Sequence, residues 1–170
     1  VGDLASFIDA ADIDNDNDLD ILTSANGFSA ATVGVPVGII KNNGNGTFGS
    51  NTLLGMSGVS AKFADLNKDK KKDIYFASHI GANQYNFHTA LNLGNGNFGP
   101  VSTWTMNACG WFEIDAVDLN NDNYLDLVGS EALGCAGGTE KRIFISLNQG
   151  NGTFGSRIIQ DIIHKPMPLV

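Results

Sequence analysis

Five aspartates fall within nine residues, Asp12, Asp14, Asp16, Asp18 and Asp20, in the run DIDNDNDLD. Unpaired like charges repel, so a cluster this dense calls for a counter-charge. The pattern returns as DLNKDKKKD at 65–73 and DLNNDNYLD at 118–126, with Asp12, Asp65 and Asp118 spaced 53 residues apart. Counted from these residues, position 3 is Asp14, Asn67 or Asn120, and position 5 is Asp16, Asp69 or Asp122. Position 9 is Asp20, Asp73 or Asp126. Position 7 holds Asp18, Lys71 and Tyr124, which share no side-chain chemistry, as expected if that position offers its backbone carbonyl. Oxygen ligands at alternating positions, without His or Cys, select a hard cation with a flexible shell. Calcium fits better than zinc, copper or magnesium. Up to three Ca²⁺ ions are expected, and much of the formal net charge of −8 is then metal-site charge.

An EF-hand begins similarly but requires glycine at position 6, glutamate at position 12 and flanking helices. Here position 12 is Thr23, Phe76 or Gly129, between β-branched and aromatic flanks. The loop is therefore expected to join two strands. Solvated Asp/Asn turns are the plainer alternative, but turn chemistry alone does not fix oxygen ligands at positions 1, 3, 5 and 9. Charge orders the expected affinities. The first loop has carboxylates at all four side-chain ligand positions plus Asp18, and the third has three with Asn120. The second also has three, with Asn67, but Lys68, Lys70, Lys71 and Lys72 crowd it. The expected order is first loop tightest, third intermediate, second weakest.

The elements that must hold these loops follow from the same periodicity. A second motif trails each loop: NNGNGTFG at 42–49, NLGNGNFG at 92–99 and NQGNGTFG at 148–155. Short apolar runs flank both motifs, so each repeat parses into four strands. The first (FIDAAD, AKFAD, FEIDAVD) and second (LDILTSA, KDIYFAS, LDLVGSE) bracket the acidic loop. The third (VGIIKN, HTALN, RIFISLN) and fourth (TFGSNTLL, NFGPVSTW, TFGSRIIQ) bracket the glycine turn. Asn45-Gly46, Asn95-Gly96 and Asn151-Gly152 suit type I′ turns, which need positive φ at both central residues. The expected fold is all-β: three four-stranded antiparallel blades of β-propeller type. Their approximate bounds are 1–56, 57–108 and 109–165, within a single repeat domain of 1–170.

With their trailing GNGxFG motifs, the three loops resemble the FG-GAP/VCBS repeats of integrin α-subunit propellers and many secreted microbial proteins. The resemblance covers essentially the whole chain and implies calcium-bound hairpin loops in adhesion, carbohydrate-binding or cell-surface proteins. It does not name a ligand.

Composition narrows the partners. Net charge −8 and a pI of about 4.5 argue against nucleic acid and anionic membrane surfaces. No apolar stretch approaches the roughly 20 residues of a membrane span. Val1-Gly2-Asp3 reads as a mature or excised start rather than a signal peptide. The acidic loops and glycine turns should share one end of each blade, leaving the variable connections at the other. Those carry His79, Tyr85, Phe87, His88, Trp104 and Trp111, a candidate ligand face, with blade-to-blade packing as the competing use of the aromatics. Cys109 and Cys135 are expected to face each other across a hairpin of the third repeat. That suits a disulfide in an extracellular, calcium-rich setting, and two buried thiols are the alternative. Asn45 and Asn151 head glycosylation sequons that also serve as turn residues. No nucleophile–base pair is recognisable, so no enzyme is expected. Two readings remain: a secreted or cell-surface calcium-binding module for a glycan or protein, and a structural building block. Three blades fall short of the about four to eight that close a propeller. The partners are then further blades of a longer chain or other copies of this one.

Overall fold

The computed structural model describes residues 5–25, 36–81, 84–106, 113–132 and 141–162. Among them the chain is all-β, with no helix. The first repeat builds β1 (Ala5–Ala11), β2 (Asp20–Ala25), β3 (Pro36–Ile40) and β4 (Thr52–Ser57), paired in that order as one antiparallel sheet. The second builds β5 (Val59–Ala64), β6 (Asp73–Gly81), β7 (Gln84–Ala90) and β10 (Ser102–Met106) in the same meander. Between β7 and β10 lies a small ribbon, β8 (Asn92–Gly94) with β9 (Asn97–Phe98). The third comprises β11 (Ile114–Val117), β12 (Asp126–Ala132), β13 (Lys141–Ser146) and β14 (Ile158–Ile162). β-branched and aromatic residues recur through these runs, as a pleated, half-buried surface favours.

The sheets stack face to face, and the period of two along a strand sorts side chains between the two interfaces. On β6, Ile74 and Phe76 join Ala11, Ile13, Leu22, Val37 and Ile39 against the first sheet. Tyr75 and Ala77 instead join Leu66, Ile114, Leu127, Phe144 and Phe154 against the third. The middle sheet is thus buried on both faces. The described sheets form an open series rather than a closed ring.

The fourth strands begin later than expected, at Thr52, Ser102 and Ile158. The glycine motif first closes on itself: Asn42 bridges Phe48, Asn92 pairs Phe98 and Asn148 bridges Phe154. The following glycine N–H then donates to Lys41, Leu91 or Leu147, each at 2.8 Å. Only after this ribbon does the chain rejoin its sheet.

The turn chemistry also differs from expectation in two repeats. Asn95 and Gly96 both have positive φ (54° and 65°), as a type I′ turn requires. In the first and third repeats the positive values fall on Gly44 with Gly46, and on Gly150 with Gly152, so Asn45 and Asn151 are not left-handed. The reason is the threonine two residues on. Its backbone N–H donates to the asparagine Oδ1 at 3.0 Å and its hydroxyl at 2.6 Å, for Thr47 with Asn45 and Thr153 with Asn151. Asn97 stands there in the second repeat and bonds to the Gly94 carbonyl instead, at 3.1 Å.

One buried polar group carries a pH consequence. His88 is fully buried, stacked on Phe76 at 4.7 Å, with Nε2 2.7 Å from Ser78 Oγ and Nδ1 2.9 Å from Thr103 Oγ1. Burial pushes its pKa down to about 4, against about 6.5 in an unfolded chain. The unfolded state therefore takes up the proton first. The stability is complete above about pH 6.5 and is lost as pH falls toward 4, amounting to about 2 kcal/mol by pH 5. Asp73, raised to about 6, titrates in the same window with opposite sign, so the comparison is made against a variant. Urea midpoints for wild type and His88→Gln should converge or cross between pH 7 and 5. Parallel curves would show that His88 does not carry the effect.

Candidate metal centres

All three acidic loops close on one register: Ala11 opposite Asp20, Ala64 opposite Asp73, and Val117 opposite Asp126. Between these pairs the backbone passes twice through the left-handed region, at positions 4 and 6. Those residues are Asn15 and Asn17 (φ 63° and 74°), Lys68 and Lys70 (63° and 67°), and Asn121 and Asn123 (62° and 67°). Asparagine tolerates this region, which explains how the first and third loops turn without an EF-hand glycine, while the second adopts the same conformation with lysines. Carboxylates of the loop itself hold the turns. Position 6 N–H donates to Oδ2 of Asp12, Asp65 or Asp118 at 3.1, 2.9 and 2.8 Å. Position 7 N–H, of Asp18, Lys71 or Tyr124, donates to Oδ1 of Asp16, Asp69 or Asp122 at 2.9, 2.9 and 2.7 Å. In the second and third loops position 5 N–H likewise donates to Asn67 or Asn120, at 3.1 and 3.0 Å.

The position 9 aspartates tie the loop to the glycine turn. Asp20, Asp73 and Asp126 are fully buried. One oxygen of each accepts the N–H of Ile13, Leu66 or Leu119, at 3.2, 2.9 and 3.0 Å. The other accepts the N–H of Asn42, Asn92 or Asn148, each at 2.8 Å. Burial raises the Asp73 pKa to about 6, with Asp69 and Asp65 adding like-charge repulsion and the two backbone N–H groups opposing the rise.

Each loop also holds one carboxylate oxygen that is buried without a hydrogen-bond partner: Asp14 Oδ1, Asp65 Oδ1 and Asp118 Oδ1. Such an oxygen is costly to bury unless something positive meets it. In the first loop Asp12, Asp14 and Asp20 each bring an oxygen to within 4.8 Å of the others. The donor set contains only oxygens, and the orphaned atoms are those a hard cation would satisfy. The residues fit calcium, which would supply the missing positive charge; Asp16 is exposed and Asp18 half-buried at the loop rim.

The lysines are distributed differently from a plain count along the chain. Lys71 does crowd its own loop, with Nζ 2.6 Å from Asp69 Oδ2. Burial acts to raise Asp69, but the hydrogen bonds from Lys71 and Asn67 and the lysine charge outweigh it and hold that carboxyl below its usual range. Lys68 instead reaches the third loop, donating to the Asp122 carbonyl at 3.1 Å and lying 3.7 Å over the Tyr124 ring. Lys41, outside every loop, sits 2.9 Å from Asp14 Oδ2 and donates to the Asn95 carbonyl at 2.8 Å. Asp122 is held low chiefly by the N–H of Tyr124.

Of the residues expected on the aromatic ligand face, Tyr85, Phe87 and His88 are buried. Tyr85 and Phe87 pack between the second and third sheets, and His88 lies in the protein interior. Alternation along β7 sends these side chains into the stack, where large rings fill the space between twisted sheets. His79 stands opposite Tyr85 in the β6–β7 ladder. Half-buried Trp104 packs with Phe87 and Phe154, all centroids 5.8 Å apart. Phe87 and Trp104 line a cavity of about 150 Å³ with Leu127, Phe144, Phe154 and Arg157. Trp111, Cys109 and Cys135 lie outside the described residues. Asn45 and Asn151 are exposed, with their side chains engaged by the threonines of the sequons.

From the sequence, Asn42, Asn92 and Asn148 stand only at the ends of the third strands, although the glycine motif repeats them at its first position. Their side chains do more. Asn92 Nδ2 donates to the Ile13 carbonyl of the preceding repeat at 2.8 Å, and Asn148 Nδ2 to the Leu66 carbonyl at 2.7 Å. Each also reaches its own loop, at Lys72 or Leu125. The glycine motif is thus a clasp between neighbouring repeats as well as a turn.

Antiparallel sheets in series, each with the same acidic loop and glycine turn at one end, define an all-β repeat protein. Residues 65–129 match the family model of the FG-GAP-like repeat. That stretch runs from the start of the second loop past the end of the third, so here the chain carries an FG-GAP-like repeat. No curated protein matches the chain. Among the described residues no helix is long and apolar enough to cross a membrane.

Proposed function

We propose that this protein is a calcium-binding repeat module of β-propeller type, extracellular or at the cell surface, that binds a glycan or protein without catalysis. The observation that carries the metal reading is the buried, unpartnered carboxylate oxygen in each of the three loops. The FG-GAP-like match supports the repeat class, and the adhesion and secretion parts rest on that class. Asp12, Asp14, Asp16 and Asp20, with their counterparts at positions 1, 3, 5 and 9, would supply side-chain oxygens. Asp18, Lys71 and Tyr124 would supply carbonyls. Calorimetric titration of calcium into chelator-treated protein tests this, with up to three binding events expected and an absence of binding overturning it. A glycan array run with calcium and with chelator tests the ligand. Calcium-dependent retention on defined sugars is expected, and a blank array would shift the ligand class to protein.

The second site is open to improvement, because Lys71 occupies a carboxylate that calcium needs. Both partners are about one-third exposed, so the pair contributes on the order of 0.2–1 kcal/mol. Lys71→Ala is therefore expected to tighten that site by up to about fivefold, while its carbonyl remains available. Weaker binding in this variant would mean that the lysine organises the loop rather than competing for it.

A further inference from the structure

A line of hydrogen bonds runs from each acidic loop to the next, and it begins and ends on position 9 carboxylates. Leu66 stands between positions 1 and 3 of the second loop, Asp65 and Asn67. Its N–H donates to Asp73 Oδ2 of the same loop at 2.9 Å. Its carbonyl accepts Asn148 Nδ2 of the third repeat at 2.7 Å. The Asn148 N–H in turn donates to Asp126 Oδ1 of the third loop at 2.8 Å. The first and second loops are joined in the same way. Asp20 meets Ile13 at 3.2 Å, Ile13 meets Asn92 at 2.8 Å, and Asn92 meets Asp73 at 2.8 Å. Asp73 belongs to both lines, with Oδ1 facing Asn92 and Oδ2 facing Leu66.

These links are closed to water. Leu66, Asp73 and Asp126 are 0% exposed, Ile13 and Asn92 1%, and Asn148 6%. A buried carbonyl that loses its amide partner has no solvent to replace it. The clasp is therefore satisfied only while both loops keep the shape that presents Leu66 and Asp126 to Asn148. That shape holds an unpartnered carboxylate oxygen in each loop, and repulsion among the acidic groups works against it until a cation enters. An ion in one loop thus orders the clasp for its neighbour, which then binds with less left to fix. Lys68 makes a second bridge, to the Asp122 carbonyl at 3.1 Å, but that contact is exposed, where water replaces it freely.

We propose that Asn92 and Asn148 are positioning residues that couple the calcium sites, so that filling one loop tightens the site in the adjoining repeat. The coupling rests on the calcium reading of the loops. It is reciprocal, and couplings of this kind amount to about 5- to 150-fold in affinity.

Calcium calorimetry on four chains measures it: wild type, Asp69→Ala, Asp122→Ala and the double variant. Each substitution empties one loop, the second or the third, and both side chains bond within their own loops. Total binding free energies compared around this cycle give the coupling whatever the order of filling. Salt near 0.15 M screens the repulsion between ions, which acts in the opposite direction. The second and third sites together are expected to bind at least about fivefold more tightly than the two singly emptied chains predict. Repeating the cycle in Asn148→Ala should abolish that excess, and repeating it in Lys68→Met should leave it intact. Circular dichroism checks the fold of each variant. Asn92→Ala, with Asp16→Ala and Asp69→Ala, offers a milder test on the first pair of loops. There the Gly96 N–H still holds the Ile13 carbonyl at 3.1 Å, so the coupling should fall without vanishing. Three ions bound independently would overturn the proposal and leave the calcium reading standing, whereas no calcium uptake in the wild type would remove both. Coupling that survives Asn148→Ala, or disappears in Lys68→Met, would also overturn it.

Discussion

Excess chelator is expected to lower the melting midpoint of this protein by roughly 5–10 °C for each calcium site emptied. The loops bury an unpartnered oxygen of Asp14, Asp65 and Asp118, and in the second loop burial and neighbouring carboxylates raise Asp73 to about 6. A cation that binds the folded loop and not the unfolded chain adds about 2.7 kcal/mol at a hundred times its dissociation constant. For a chain of this length each kcal/mol moves the midpoint about 2–4 °C. Scanning calorimetry in millimolar calcium and in chelator measures the difference. Magnesium should restore little of it, since that ion tolerates few cages built wholly from protein. Identical midpoints in calcium and chelator would remove the metal from the explanation.

Asn148→Ala is expected to cost about 3–5 kcal/mol, and Asn42→Ala only about 1 kcal/mol. Asn148 is buried, donates to the Leu66 and Leu125 carbonyls at 2.7 and 3.0 Å, and accepts the Gly150 N–H at 2.9 Å. Truncation strands the Leu66 carbonyl away from water and leaves the two half-buried partners only partly hydrated, at about 1–3 kcal/mol for each group stranded. Asn42 occupies the same motif position, but its surroundings are half open to solvent. Urea midpoints compare the two. Equal losses would mean that the asparagine acts within its own turn and not as a clasp between repeats.

The loops themselves were legible because their chemistry is local. Alternating Asp and Asn side chains at positions 1 to 9, between two apolar runs, describe one chain segment that turns on itself. The I′ assignment failed at Asn45-Gly46 and Asn151-Gly152 for an equally local reason, a threonine hydroxyl whose competition for the asparagine the dipeptide rule does not weigh. The burial of Tyr85, Phe87 and His88 was missed for a non-local one. From the sequence, Tyr85 and Phe87 belong to the connection before a third strand starting at His88, but β7 begins at Gln84, and whether their side of it meets water or another sheet depends on what stacks there.

By itself the sequence determined the all-β repeat, the acidic hairpin loops and the glycine turns, since each follows from spacing within a few residues, and the period from the recurrence of those motifs. The tertiary structure alone decided which lysine serves which loop, and that His88 lies inside. It also decided that Asn92 and Asn148 bind carbonyls of the repeat before them. Those contacts join residues as far apart as 82 positions, Leu66 to Asn148. Side-chain burial and partner choice at that range are set by how whole sheets pack, and no short pattern along the chain encodes it.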